Sequence, residues 1–275
     1  MFSILIPTWD NLDYLQTCIQ SIHEHSGIQH QILVHVNGAD QKTLSYLQEE
    51  QIEHTQSPEN IGICKALNLL ATKVKHNYIV YMNDDMYALP RWDEALIKEI
   101  EALGTDDFYL SATMIEPKKG GHNCMISPHD YGDIQSEFRI KDLIAEFKDL
   151  PFYDWNGASW PPAVVHKKWW DKVGGYSEEF SPGLYSDPDF SMKLWQEGIR
   201  IFKGVSASRV YHFQSKSLHR VKLNNGNKQF KQKWGIAASY FYKNYLQLGT
   251  PYLGPLPEIE KGLRYYWARL KAKFG

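Results

Sequence analysis

The sequence has few cysteines. Only Cys18, Cys64 and Cys124 occur among its 275 residues, and no two of them are spaced as Cys-X-X-Cys. A disulfide framework uses more cysteines, and a structural zinc site commonly uses such closely spaced pairs. The sequence therefore predicts neither feature, and a reducing, cytoplasmic setting is the first expectation.

Long apolar runs and a strong net charge are also absent. No stretch approaches the roughly 18 uninterrupted apolar residues of a membrane span, and residues 1–8 lack the basic start of a signal peptide. Lys and Arg number 30 against 32 Asp and Glu, a formal net charge of -2. This balance argues against binding of a nucleic-acid backbone over a wide surface.

Aromatic residues, by contrast, are abundant at 14% of the chain, with 9 Trp and 17 Tyr. Carbohydrate rings and flat ligands stack on aromatic faces, although Tyr and Trp also serve ordinary cores and interfaces. The composition alone leaves both roles open.

The apolar patterns predict an α/β fold. Short apolar strands alternate with helices of three-to-four-residue spacing, which favours a Rossmann-like, doubly wound and mainly parallel sheet. In the first half, strands are predicted at 2–6, 31–36, 52–55 and 78–82, and helices at 11–25, 40–50 and 60–75. In the second half, strands are predicted at 108–115, 161–165, 200–203 and 209–212, and helices at 167–173, 188–198 and 229–246. Residues 134–148 are expected to form a polar helix or a mobile flap.

The simplest organisation is a single domain over residues 1–250, followed by a basic amphipathic tail over 251–275. Residues 258–274 hold five Lys or Arg against two Glu. Apolar side chains alternate with these cations, which suits a helix lying on a membrane surface. The alternative is that these side chains pack on the domain or form a dimer contact. The apolar positions are Leu263, Tyr266, Trp267 and Leu270.

Polar residues follow three of the predicted strands. They are Pro7-Thr8, Asn37 and Asn83-Asp84-Asp85. Ligands of doubly wound sheets bind where strands end, and adjacent carboxylates favour a hard cation such as Mg²⁺ or Mn²⁺ between or beside them. The alternative for the Asn-Asp-Asp triplet is an Asx-turn or a helix N-cap.

A second acidic segment is Ser186-Asp187-Pro188-Asp189, ahead of a predicted helix. Asp187 is a candidate general base that takes a proton from a hydroxyl, or a helix N-cap. His212 closes a predicted strand and is a candidate metal ligand, with His219 as a rival and a structural histidine as the alternative.

Four blocks in this order resemble the inverting glycosyltransferases of family 2, which have the GT-A fold. They are Ser3–Thr8, Asn60–Gly62 with Ala66–Asn68, Tyr81–Asp85 with Pro90 and Trp92, and Gly174–Phe180 with Asp187–Asp189 and Gly198. The resemblance implies a nucleotide-sugar-binding half over 1–115 and an acceptor-binding half over 116–250. It also implies a small antiparallel sheet on the acceptor side and a C-terminal helical extension.

The resemblance further implies roles for single residues. Asp187 is the expected catalytic base. Asp85 and His212 are the expected ligands of Mn²⁺ or Mg²⁺. The expected donor-binding residues are Pro7, Thr8, Asn37, Asn60, Gly62, Lys65, Asn83 and Asp84. Lys65 could equally be a solvated helix lysine.

The expected substrates are a nucleotide sugar and a glycan or lipid-linked acceptor. A UDP-sugar is favoured, with a GDP- or TDP-sugar as alternatives, and a peripheral contact with the inner face of a membrane fits a lipid-linked acceptor. Trp155, Trp160 and Asp189 are the expected acceptor-binding residues, although a packed Trp is the alternative. The loop at 117–133 is a candidate lid or an ordinary surface loop.

The sequence departs from the family pattern at several positions. An amide stands at Asn37 and Asn83 where aspartates are usual, Ser186 replaces a usual glutamate, and Leu67 replaces a frequent arginine. These departures keep open a non-catalytic sugar- or nucleotide-binding homologue. A sugar nucleotidyltransferase is disfavoured, because no glycine-rich loop follows the first strand.

Overall fold

The computed structural model describes residues 1–214 and 224–274 and is organised around one mixed sheet. Neighbouring strands follow the order β3-β2-β1-β4-β9-β6-β10-β5, while β7 pairs with β6 and β8 with β10. The strands are β1 Phe2–Thr8, β2 Gln31–Asn37, β3 Glu53–Ser57, β4 Tyr78–Tyr81, β5 Met86–Ala88, β6 Phe108–Ile115, β7 Met125–Ile126, β8 Trp155–Asn156, β9 Ala163–His166 and β10 Ile201–His212.

The first half has the predicted parallel order, because β1 pairs in parallel with both β2 and β4, and β2 with β3. Every residue of β1 and β2 is buried, as their apolar sequences require in a sheet covered on both faces. β1 continues through Pro7 to Thr8, beyond the expected end at Ile6. Proline is compatible with an extended backbone, so the strand carries both residues to its rim.

The second half corrects the expected small antiparallel sheet. The antiparallel strands β5, β8 and β9 all belong to the single sheet, through pairing with β10, β4 and β6. The two strands expected at 200–203 and 209–212 form one strand, β10, with a bulge between Val205 and Arg209. The bulge lets one strand pair with β6 along both segments.

Most helices agree with the predicted pattern, with one division and one omission. The helix predicted at 229–246 is divided, because Gly235 adopts the left-handed conformation and ends the first part at Trp234. Trp92–Leu103 was not predicted as a helix. Its N-cap is Arg91 in the left-handed conformation, without a side-chain cap, so the usual start signal is missing. The helices are α1 Leu12–His25, α2 Gln41–Glu49, α3 Gly62–Ala71, α4 Trp92–Leu103, α5 Ile140–Glu146, α6 Lys167–Val173, α7 Ser186–Gln196, α8 Gly226–Trp234, α9 Ala238–Tyr240 with a π-helical continuation Phe241–Tyr245, and α10 Leu263–Phe274.

The segment after residue 250 packs on the sheet before α10 begins. Tyr252 N donates to Asp154 O at 2.8 Å, and Leu256 N donates to Arg200 O at 2.8 Å. Leu256 is buried. Tyr252 and Leu256 therefore pack on the body, past the expected boundary at 250. Within residues 1–214 and 224–274, no helix is both long and apolar enough to cross a membrane.

Gly204 of β10 lies directly against the Trp155 indole, and an added Cβ would overlap that ring. Trp155 cannot easily move, because it is 1% exposed and its Nε1 donates to Thr113 Oγ1 at 3.0 Å. We expect Gly204→Ala to lower the free energy of unfolding by about 2 kcal/mol through overpacking. Urea denaturation measures this change.

Gly262→Ala is the matched control, because a Cβ at Gly262 meets no atom within 4 Å. Its expected effect is within about 0.5 kcal/mol. Equal effects of the two substitutions would contradict the packing argument.

Candidate active site

A cleft of about 1270 Å³ opens at the carboxyl ends of β1, β2 and β4. Both halves of the chain line it. The first half contributes Pro7, Thr8, Asn37, Asn60, Gly62, Asn83, Asp84 and Asp85, and the second half contributes Glu116, Lys118, His122, Trp160, Asp187, His212, Tyr242 and Lys243.

The structure brings together all but one of the predicted donor-binding residues. The exception is Lys65, which is exposed on α3 and does not line the cleft. This exposed position agrees with the alternative stated above, that Lys65 is a helix lysine in contact with water.

Hydrogen bonds fix the side of the cleft that the first half of the chain forms. Thr8 Oγ1 donates to Asp84 Oδ2 at 2.7 Å and so links the ends of β1 and β4. Asn37 is 4% exposed, and its Oδ1 accepts from Ile61 N at 3.0 Å. The amide at position 37 therefore holds the loop that begins at Asn60.

This loop also contacts the segment ahead of α7. Gly62 has a φ of +80°, and an added Cβ would lie 2.7 Å from Pro182 Cα. Ile63 N donates to Pro182 O at 2.9 Å. A side chain at position 62 would meet both a strained backbone conformation and a backbone clash, so glycine is required for this contact between the two halves.

Asp85, Glu116 and His212 form a buried polar cluster. His212 Nδ1 lies 2.8 Å from Glu116 Oε1, and His212 Nε2 lies 3.4 Å from Asp85 Oδ1. The antiparallel pairing of β5 with β10 places His212 opposite Met86, next to Asp85. Burial disfavours the imidazolium, but Asp85 and Glu116 outweigh burial and raise the pKa of His212 to about 10.

Sequence reasoning missed Glu116. Its signal was available, because Glu116 directly follows the apolar strand β6 as Asn83–Asp85 follows β4. His219, the rival to His212, lies outside the described residues.

The cluster has the donor atoms of a divalent-cation site. Asp85 and Glu116 are 6% and 4% exposed, so two carboxylates are withdrawn from water beside one imidazole. Carboxylate oxygens with an imidazole suit Mn²⁺, and oxygens suit Mg²⁺. In the present side-chain arrangement, no three His, Cys, Asp or Glu among the described residues already form a metal-binding group. The residue types fit a divalent cation, whereas His212 now occupies the space between the carboxylates.

Asp187 lies inside the first turn of α7 and lines the cleft. The N-cap of α7 is Tyr185 in the left-handed conformation, without a side-chain cap, so Asp187 is not the N-cap. Tyr176 OH donates to Asp187 Oδ1 at 3.3 Å. Burial raises the pKa of Asp187 to about 7, while the hydrogen bond from Tyr176 acts in the opposite direction.

Asp189 is not an acceptor-binding residue, and the expectation is wrong at this position. Its side chain is fully buried away from the cleft. Asp189 Oδ1 accepts from Trp234 Nε1 at 2.8 Å and pairs with Lys233 Nζ at 2.9 Å. Asp189 instead ties α7 to α8.

The two predicted acceptor tryptophans have different environments. Trp155 is buried beneath Gly204 and has no face for a sugar, so its expected role is wrong. Trp160 lines the cleft, with its ring 5.1 Å from that of His122 and 5.6 Å from that of Tyr242. Tyr242 was missed, because its sequence segment looked like an ordinary packing helix.

The loop at 117–133 reaches the cleft in part. Lys118 and His122 line it, whereas Lys119 and His129 do not. The loop thus brings a cation and an aromatic ring to the cleft.

Known proteins share this architecture. S. aureus TarS 1–349 in complex with UDP-GlcNAc superposes with a TM-score of 0.61 at 14% identity, covering 84% of this chain and 63% of that chain. GalNAc-T7 with UDP, GalNAc and Mn²⁺ gives a TM-score of 0.60 at 14% identity, covering 88% of this chain and 49% of that chain. These likenesses show that the fold is that of the GT-A glycosyltransferases.

The sequence narrows this class to a family. Residues 3–144, just over half of the chain, match the family described as glycosyl transferase family 2, and the chain belongs to that family. Chondroitin synthase of Escherichia coli is 23% identical over 247 residues, covering 76% of this chain and 34% of that protein. The chain thus spans about a third of the length of this curated relative.

Removal of the cation next to Asp189 tests the connection between α7 and α8. In Lys233→Met, the Asp189 carboxylate keeps its hydrogen bond from Trp234 Nε1. It loses the ammonium group with which it forms an ion pair. Breaking a buried pair from one side is strongly destabilising, and we expect a loss of about 3 kcal/mol in the free energy of unfolding. Urea denaturation measures this loss.

Lys228→Met is the control, because Lys228 is exposed on the same helix. Its effect is expected to stay within about 0.5 kcal/mol. A Lys233→Met protein as stable as this control would refute the anchoring role of Asp189.

Proposed function

We propose that the protein is an inverting glycosyltransferase that moves a sugar from a nucleotide-diphosphate sugar to a hydroxyl group of a glycan or lipid-linked glycan. The observation that carries this proposal is the presence of two separate acidic sites in one cleft. One is Asp187, with a pKa raised to about 7, and the other is the cluster of Asp85, Glu116 and His212. A single displacement needs a base for the acceptor and charge stabilisation for the leaving group, and these sites can divide that work.

Asp187 is the proposed base. Its carboxylate takes the proton of the acceptor hydroxyl as the oxygen attacks the anomeric carbon. The bond from that carbon to the diphosphate breaks in the same step, and the electron pair leaves with the nucleoside diphosphate. Attack from the face opposite the leaving group inverts the anomeric configuration. A raised pKa favours proton transfer near neutral pH.

Asp85 is the proposed principal ligand of Mn²⁺ or Mg²⁺, with His212 and Glu116 beside it. A bound divalent cation would neutralise charge on the diphosphate. Support comes from the donor atoms of this cluster and from GalNAc-T7, whose structure contains UDP and Mn²⁺. Lys118 and Lys243 also line the cleft and add positive charge near an anionic donor.

A UDP-sugar is the favoured donor. TarS structures with UDP and with UDP-GlcNAc share the fold. Pro7, Thr8, Asn37 and the loop from Asn60 to Gly62 form the proposed nucleotide-binding side. The amide of Asn37 is committed to Ile61 N, so we propose that it shapes this side by holding the loop.

Trp160 is the proposed sugar-stacking residue on the acceptor side, together with Tyr242 and His122. Their rings lie within 5.1 to 6.4 Å of one another in the cleft. Aromatic faces offer broad apolar contact to a sugar ring, which supports a glycan portion in the acceptor.

Replacing the proposed base tests the reaction. We expect Asp187→Asn to lower the transfer rate at least about 100-fold and to leave donor affinity unchanged, because the amide cannot accept the proton. The rate of the unmodified protein should fall about tenfold per pH unit below about pH 7, as Asp187 becomes protonated, and should level off above it. Transfer from a panel of nucleotide sugars, followed over pH, measures both effects.

Asp149→Asn is the control, since Asp149 is exposed and outside the cleft. Its activity should equal that of the unmodified protein. An unaltered rate in Asp187→Asn would exclude Asp187 as the base, and no turnover of any donor by the unmodified protein would favour the non-catalytic binding homologue.

Calorimetric titration tests the metal assignment. We expect Asp85→Ala to weaken Mn²⁺ binding in the presence of UDP by at least about tenfold, because a ligand is lost. Asp149→Ala should bind as the unmodified protein does. Retained Mn²⁺ affinity in Asp85→Ala would disprove the assignment.

A further inference from the structure

Helix α10 is held to the body by one of its faces. Tyr265, Ala268 and Ala272 are partly buried there, and α10 packs against α8. Arg269 contributes to the contact, because its guanidinium lies against Gly235 at the end of α8. Within α10, its Nη1 also donates to Tyr265 OH at 3.0 Å. The orientation of the helix is therefore set by packing.

The face opposite this contact carries an apolar stripe, defined as Leu263, Tyr266, Trp267 and Leu270. These side chains are 81%, 60%, 61% and 47% exposed, respectively. At about 100° per residue they fall within an arc of about 100°, centred opposite Tyr265, Ala268 and Ala272. Four large apolar side chains in one exposed arc form a contact surface rather than scattered surface residues.

Cations border this apolar stripe on both sides. By the same helical geometry, Arg264 and Lys271 fall on one flank and Lys273 falls on the other, while the Arg269 guanidinium lies beside Gly235 of the body. Residues 261–274 contain no Asp or Glu. The surrounding segment continues the pattern, because residues 225–274 hold nine Lys or Arg against Glu258 and Glu260, while the whole chain has a formal charge of -2.

We propose that the apolar stripe of α10 docks on an anionic lipid bilayer, with the helix lying in the plane of the interface. Apolar side chains flanked by cations match an anionic surface, because the side chains enter the acyl boundary while the cations meet lipid phosphates. Charge complementarity favours this occupant over a second copy of the chain, since two copies of α10 would bring like charges together. The proposal concerns binding alone and does not depend on the proposed transfer reaction.

Helix α8 connects α10 with one wall of the cleft along the chain. α10 packs on α8, and the chain continues from α8 into Ser239, Tyr242 and Lys243 of the cleft wall.

Vesicle co-sedimentation of the full chain tests the proposal. We expect binding to vesicles of phosphatidylcholine mixed with phosphatidylglycerol, weaker binding to phosphatidylcholine alone, and weakening by added salt. Tyr266→Ser with Trp267→Ser should reduce binding at least about tenfold through lost apolar contact. Lys271→Gln with Lys273→Gln should reduce it roughly 25-fold, about fivefold for each cation.

Matched controls separate the stripe from general surface effects. Leu253→Ser removes a side chain that is 95% exposed outside α10, and Lys73→Gln with Lys141→Gln removes two exposed cations elsewhere. Both should bind vesicles as the unmodified chain does. Circular dichroism verifies that each variant remains folded.

Several results would overturn the proposal. They are absence of vesicle binding by the unmodified chain, unchanged binding by the Tyr266→Ser, Trp267→Ser variant, or equal losses in the variants and their controls. Sedimentation velocity supplies another: a dimer of the unmodified chain that these serine substitutions convert to a monomer would assign the apolar stripe to a second copy.

Discussion

Burial of β1 and β2 along their whole length is the constraint on which the site depends. No residue of β1 or β2 is exposed, so a ligand cannot reach the faces of these strands. Parallel strands leave the sheet at a common edge, where side chains from separate chain segments converge. Thr8, Asn37 and Asp84 lie together at this edge. The hydrogen bond from Thr8 to Asp84 shows that the ends of β1 and β4 are within side-chain contact of each other.

A second constraint fixes the two halves of the cleft relative to each other. Asn37 holds the backbone at Ile61, and the next turn of chain is bonded through Ile63 N to Pro182 O. The segment from Pro182 leads directly into the helix that carries Asp187. A contact through backbone atoms leaves little freedom for the distance between the sheet edge at Asn37 and the proposed base. The glycine at position 62 is part of this arrangement, because any side chain there would push the halves apart.

The sequence predicted the features that depend on local pattern and left out those that depend on distant pairing. The parallel half and its polar rim follow from apolar strands with polar ends, and they are present as predicted. β5 has only three residues and forms by pairing with β10, more than 100 residues later in the chain. The local sequence therefore contains no pattern that predicts it. Trp155 and Trp160 look alike in sequence. What separates them is Gly204, which leaves room for one indole to be buried beneath β10.

The residue at which α7 begins determines which of the two carboxylates, Asp187 or Asp189, faces the cleft. Residues two apart on a helix face nearly opposite sides, so only one of the two carboxylates can face the cleft. A helix beginning at Pro188 would make Asp187 the N-cap, with its oxygen occupied by backbone N–H groups. The left-handed conformation of Tyr185 instead starts the helix at Ser186. Asp187 then faces the cleft with only a phenol hydroxyl as its described partner, while Asp189 turns inward to Lys233 and Trp234.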